Sequence, residues 1–203
     1  MTFSLPQLYL DLDRTLFDTS KASVALRVAA EKHFGKYGVT AQLLYDTYRQ
    51  FTTRVGEQHY YRFFDHLADY GINEDEAEAS LRRELAGEDF LFPDAQVFLD
   101  FVDTQSIVPI ILTFGEKRFQ LFKASLAPRL ARYPIETILF DKIDYLAERP
   151  DDSAILVDDK SIHTAFLPRH CTGVLIDRSQ PEAIIKQSDH YIVNNLASVE
   201  ELL

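Results

Sequence analysis

The chain has 203 residues, enough for one sizeable hydrophobic core, or for a core carrying a small insertion. A formal charge of −11 argues against binding the phosphate backbone of nucleic acid, which needs concentrated Lys and Arg. Cys171 is the single cysteine, so no internal disulfide or cysteine-rich zinc site can form; no signal core or long apolar run occurs, and a cytoplasmic protein with no membrane partner is expected.

Leu8-Tyr9-Leu10 reads as a strand buried on both faces, and it runs into Asp11-Leu12-Asp13-Arg14-Thr15. In an extended strand Asp11 and Asp13 point the same way. Like charges that close are costly unless a cation lies between them or one holds a proton. A hard cation with oxygen ligands, most simply Mg²⁺, resolves the repulsion. Two solvated aspartates in a loop are the competing reading, and this stretch alone does not choose.

From Thr19 to Gly87 the pattern is helical and no strand is expected. Val24, Leu26, Val28, Ala29 and Phe34 mark a first helix over 20–34. Thr40 caps a second, with Leu43, Leu44, Tyr48 and Phe51. A third runs from Glu57 to Tyr70, and Asn73 with Glu76 has the layout of a capping box for a fourth, reaching Ala86. Short loops join the four into a small bundle.

Past Phe92-Pro93, strands and helices alternate. Asp94 is placed to cap a helix through Val102, and a strand follows over 107–112, ending at Thr113-Phe114-Gly115. Next come a helix through Phe119 and Phe122, a strand over 135–140 and a helix over 141–148. Strands at 154–157, 173–176 and 191–193 follow, then a closing helix over 196–203. Such alternation implies a parallel sheet covered on both faces.

Ligands bind such sheets at the carboxyl ends of the strands. Here those ends carry Asp11 and Asp13, Thr113, Lys142, and Asp158 with Asp159. Each has an ordinary explanation as a cap or a solvated residue. Together they form an inventory suited to metal and phosphate.

At these positions the chain resembles the haloacid dehalogenase-like (HAD) hydrolases. Asp11-Leu12-Asp13-Arg14-Thr15 matches the first motif, Ile110-Ile111-Leu112-Thr113 the second, and Ile155-Leu156-Val157-Asp158-Asp159 the acidic fourth. Lys142, sixteen residues before Asp158, suits the lysine of the third, with Lys117 and Lys123 as competitors. The resemblance implies a Rossmannoid α/β core over 1–17 and 90–203 and an all-helical cap over 18–89. It further implies an Asp11 nucleophile, Asp13 as general acid and base, and phosphate held by Thr113 and Lys142. Mg²⁺ would bind Asp11, the Asp13 carbonyl and the Asp158/Asp159 pair, with Asp159 favoured as direct ligand. The implied partner is a small phosphorylated substrate. A phosphomutase, a dehalogenase and a non-catalytic metal- or phosphate-binding protein remain alternatives, and neither the substrate nor the oligomeric state can be read.

Two positions depart from the family pattern. Arg14 stands where many relatives have Gly; it could touch substrate or pair with a carboxylate on the turn, and the pairing is favoured. His163 stands where Asp or Asn is common, with a capping or hydrogen-bonding role favoured over that of a metal ligand. Lys160 is expected to pair with the acidic residues beside it. In the cap, Arg54 and Arg62 are the cations that could reach substrate, and the links near 17–19 and 88–92 are expected to act as hinges.

Overall fold

The computed structural model describes residues 6–149 and 153–203; the parts of the expected core at 1–5 and 150–152 lie outside them. From β1 (Gln7–Leu10) the chain enters an excursion of α1 (Thr19–Phe34), α2 (Ala41–Thr47), β2 (Thr52–Val55), β3 (Gln58–Tyr61), α3 (Phe63–Ala68) and α4 (Glu74–Glu84). It then returns through α5 (Pro93–Thr104), β4 (Ile110–Phe114), α6 (Lys117–Ser125), β5 (Ile135–Ile138), α7 (Lys142–Ala147) and β6 (Ala154–Asp158). The final elements are α8 (Ser161–Thr164), β7 (Cys171–Ile176), β8 (Ile184–Lys186), β9 (His190–Val193) and a 3-10 helix over Leu196–Leu202.

Seven strands form one sheet in the order β5-β4-β1-β6-β7-β9-β8. All pairings are parallel except β8, a short edge strand antiparallel to β9. Alternation sends Leu8, Leu10, Ile111, Ile155 and Val157 to one face, in the same core as Phe98, Leu99 and Val102 of α5. Tyr9, Leu112 and Leu156 go to the other face, against Tyr145 and Leu146 of α7. The result is a three-layer α/β core. From β1 the chain steps outward through β4 to β5, then crosses back to β6. The strand order therefore reverses at β1, and a crevice opens at its carboxyl end.

Two local expectations are corrected. β4 starts at Ile110, not Ile107, because Pro109 has no N–H for the ladder. Asp94 does not cap α5: Pro93 opens that helix after Phe92, and the Asp94 carboxylate accepts the Leu196 N–H at 3.0 Å and pairs with Arg178.

The excursion is not all-helical. β2 and β3 form an antiparallel hairpin pairing Thr52 with Tyr61 and Val55 with Gln58. Thr52, Thr53 and Val55 are β-branched, Gly56 supplies φ +58° at the turn, and aromatic residues follow. The aromatic spacing that suggests a helix from Glu57 is therefore partly strand, and α3 begins only at Phe63. Thr40 caps as expected by accepting the Leu43 N–H, and Asn73 supplies its half of the capping box by accepting those of Asp75 and Glu76, with no return bond from the Glu76 side chain among the described residues. The excursion docks on α6 by ring packing, with Phe63 and Phe64 against Phe119 and Phe64 also against Phe122. Arg118 adds ion pairs to Glu74, Asp75 and Glu78. Its two links to the core pair with each other: Asp18 N–H donates to the Phe90 carbonyl at 2.7 Å, and Phe92 N–H to that of Leu16 at 3.0 Å.

Candidate active site

Parallel register fixes the deepest part of the site. Leu10 pairs with Val157 on one side and with Ile111 on the other, so Asp11 emerges beside Asp158 and one residue short of Thr113. Lys142, the first residue of α7, reaches across this end of the sheet. Its Nζ lies 2.5 Å from Asp11 Oδ1 and 2.6 Å from Asp158 Oδ2, and the three side chains are almost wholly buried. Burial pushes the Asp11 carboxyl up to about 7; Lys142 opposes the rise while Asp158 and Asp13 add to it. Burial acts the same way on Asp158, but Lys142 and His163 overcome it and hold that carboxyl well below the usual range. Burial also works against the Lys142 ammonium, yet the two carboxylates raise its pKa.

Asp158 is hydrogen-bonded on both oxygens. Oδ1 accepts the Lys160 N–H at 2.8 Å, and Oδ2 meets His163 Nδ1 at 2.9 Å as well as Lys142. α8, which carries His163, fits close over β7 because of Gly173: a Cβ there would lie 2.1 Å from the Thr164 carbonyl oxygen. Asp159 is half-buried and has no hydrogen bond or ion pair among the described residues. Burial and the charge of Asp158 raise its carboxyl. Asp11, Asp158 and Asp159 each offer an oxygen within 4.8 Å of the others.

Asp13 belongs to a second, shallower network. Its carboxylate meets Lys123 Nζ at 2.5 and 2.6 Å, accepts the Thr19 hydroxyl at 2.8 Å, and lies 3.5 Å from Gln120 Nε2. Burial would raise the Asp13 carboxyl, but Lys123, Thr19 and Gln120 together lower it. Gln120 and Lys123 are three residues apart on one face of α6. Gln120 also accepts the Thr113 hydroxyl at 3.2 Å and donates to the Phe114 carbonyl at 2.8 Å.

Solved structures of this architecture match nearly the whole chain. A HAD phosphatase from Thermococcus onnurineus is 18% identical, with a TM-score of 0.62 over 98% of this chain and 97% of its own. A HAD hydrolase from Bacillus subtilis, bound to magnesium, is 15% identical with a TM-score of 0.55 over 99% of both chains. An L-2-haloacid dehalogenase is 15% identical with a TM-score of 0.56, over 98% of this chain and 99% of its own. The chain has the fold of the HAD-like hydrolases. No protein-family model matches it, and no curated protein matches it by sequence.

In this HAD-like fold Asp11, Lys142, Asp158 and Asp159 come together at one strand-end crevice. Thr113 stands at the same sheet end, but its hydroxyl is turned to Gln120. The Asp13 carboxylate lies outside the acidic trio, which leaves its backbone carbonyl as the atom it could offer a metal. His163 takes the hydrogen-bonding role expected of it. Lys160 touches Asp158 through its backbone N–H, and its ammonium makes no ion pair within the described residues. Arg54 and Arg62 are engaged locally, by the Gly56 carbonyl and by Asp65. Arg14 makes no ion pair among the described residues, although its charge acts on Asp159 and lowers that carboxyl against the effect of burial.

Gln120, Thr19 and Arg178 are contributors that sequence reasoning missed. Arg178 donates to the Arg14 carbonyl at 2.7 Å and to that of Thr15 at 2.9 Å, which pins the turn after β1. Gln120 and Lys123 stand three residues apart on α6, a spacing that marks a shared face without saying what that face meets.

Proposed function

We propose that the chain is a Mg²⁺-dependent phosphatase that hydrolyses a small phosphorylated metabolite through an aspartyl phosphate on Asp11. The observation that carries the reading is a buried lysine bridging Asp11 and Asp158, with a separately paired carboxylate, Asp13, two residues beyond the nucleophile. Asp11 Oδ attacks phosphorus while the ester P–O bond breaks, and Asp13 delivers a proton to the leaving oxygen. Asp13 then takes a proton from water, which attacks phosphorus and frees Asp11 and inorganic phosphate. Lys142 holds phosphoryl oxygens, and Thr113 joins it by turning its hydroxyl proton away from Gln120. Residues 18–89 act as a cap over the crevice.

The all-oxygen donor set suits a hard divalent cation. Asp11, Asp158, Asp159 and the Asp13 carbonyl would hold Mg²⁺, with Asp159 favoured as direct ligand because its oxygens have no hydrogen bond or ion pair among the described residues. Bound there, Mg²⁺ supplies positive charge that offsets the carboxylates and the phosphoryl oxygens. A dehalogenase would use Asp11 but leave Asp13 and its three partners without a task.

Phosphate release from sugar phosphates, nucleotides and an aryl phosphate, with and without Mg²⁺, tests the activity. Release should require the metal and should be abolished by Asp11→Asn; full activity in that variant would make the covalent mechanism wrong. Metal binding has an independent readout. Asp11, raised to about 7, must give up its proton to a cation, so the Mg²⁺-induced rise in melting temperature should be larger at pH 8 than at pH 6. Equal rises at both would remove Asp11 from the ligand set.

A further inference from the structure

Building on the phosphatase reading, we propose that Arg14 and the cleft beside it form a subsite for a second negative charge. The favoured substrates are then phosphate monoesters whose leaving group is itself anionic. Arg14 has φ +63°, a conformation that L side chains rarely adopt. The backbone is over-determined there: Arg14 N–H donates to the Phe17 carbonyl at 2.8 Å and to Thr19 Oγ1 at 3.2 Å, while Arg178 holds the Arg14 carbonyl. Strain maintained in this way beside the acid/base residue points to a use for the side chain.

That side chain is exposed, and its guanidinium has no hydrogen bond, ion pair or ring contact among the described residues. It opens on a cleft of about 450 Å³ lined by Arg14, Ser20, Phe92, Asp159, Ser161 and Arg178, among others. Arg178 is already engaged, by Asp94, by two carbonyls and by the Phe92 ring 3.9 Å away. Among the described residues Arg14 is therefore the cation of this cleft without an ion pair, its charge acting also on Asp159. Asp159 lines the cleft and also offers an oxygen within 4.8 Å of one on Asp11. The cleft wall thus begins one carboxylate away from the nucleophile. Asp177, also on the cleft wall, has its carboxylate hydrogen-bonded by Ser179 and Gln180, so with a cation on Asp159 the guanidinium is the group there that can meet an anion, and a planar guanidinium binds a carboxylate through two parallel hydrogen bonds. A neutral leaving group would gain neither.

The test compares kcat/KM for ethyl and propyl phosphate with that for 2-carboxyethyl and 3-carboxypropyl phosphate, in the native protein, Arg14→Gly and Arg14→Lys. The native protein should favour the carboxylate-bearing ester by about tenfold or more. Arg14→Gly should lose that preference mainly through KM, and Arg14→Lys should restore part of it. No preference in the native protein, or equal losses on both ester types in Arg14→Gly, overturns the subsite. If no phosphate ester is hydrolysed with Mg²⁺ present, the phosphatase reading fails separately. Calorimetry with 3-phosphonopropionate and ethylphosphonate then decides the subsite. Tighter binding of the carboxylate-bearing phosphonate that depends on Arg14 supports it; equal binding to native and Arg14→Gly protein overturns it.

Discussion

Two lysines meet aspartates at the same end of the sheet, under opposite conditions. Lys142 sits between Asp11 and Asp158 with its side chain 1% exposed, and both carboxylates are almost wholly buried with it. Lys123 is nearly as buried, but the Asp13 side chain it holds is 29% exposed and also bonds Thr19. The first cluster is fixed by strand register and by the start of α7. The second depends on how α6 lies, and that helix also carries Phe119 and Phe122, on which the excursion docks. The difference separates a deep cluster whose charges are mutually obligatory from a mouth that can adjust.

Removing each lysine should expose that contrast. Lys142→Met strands two buried carboxylates, a change that typically costs about 3–5 kcal/mol. Urea denaturation at pH 7 should show a loss of that size, together with loss of phosphate release. The deficit should shrink as pH falls and the stranded carboxylates take up protons. A loss below about 1 kcal/mol would mean that Asp11 and Asp158 are compensated by something else. Lys123→Met should cost less, about 1–2 kcal/mol, because Asp13 can recruit water. Its sharper effect is on pH. Lys123 is a principal lowering influence on the Asp13 carboxyl, so without it that carboxyl titrates at higher pH. Asp13 must carry a proton to deliver it to the leaving oxygen, so the alkaline limb of the kcat/KM profile should move upward with it; an unmoved limb would show that Asp13 is not the group titrating there.

The same division decides how much could be read in the sequence. Strands buried on both faces become continuous apolar runs, so Leu8–Leu10 and Ile155–Val157 were legible, and so were the acids that end them. Lys142 was placed by its position after β5, although its reach to Asp11 is a tertiary fact. The Asp13 network was not legible. Lys123 and Gln120 meet Asp13 only because α6 packs beside the turn after β1, and local spacing does not encode that packing. Arg178 holds carbonyls more than 160 residues away in sequence, with no local mark of the pairing. Tyr60, Tyr61, Phe63 and Phe64 suit strand and helix alike, and only Gly56 with the β-branched residues before it points to the hairpin. β8 is a three-residue edge strand whose pairing with β9 carries no strong apolar pattern.

The smallest expected effect has the opposite sign and probes the mouth alone. An L residue in the left-handed region costs roughly 1–2 kcal/mol, while glycine loses about 0.5–1 kcal/mol more conformational freedom on folding. Arg14→Gly should therefore stabilise the protein by at most about 1.5 kcal/mol, each kcal/mol raising the melting temperature by about 2–4 °C for a chain of this size. Lys123, Thr19 and Arg178 still hold the turn in that variant, so neither lysine cluster should be disturbed. A fall in melting temperature would mean that the Arg14 side chain supports the folded turn. The adjustable mouth would then be as structurally committed as the cluster beneath it.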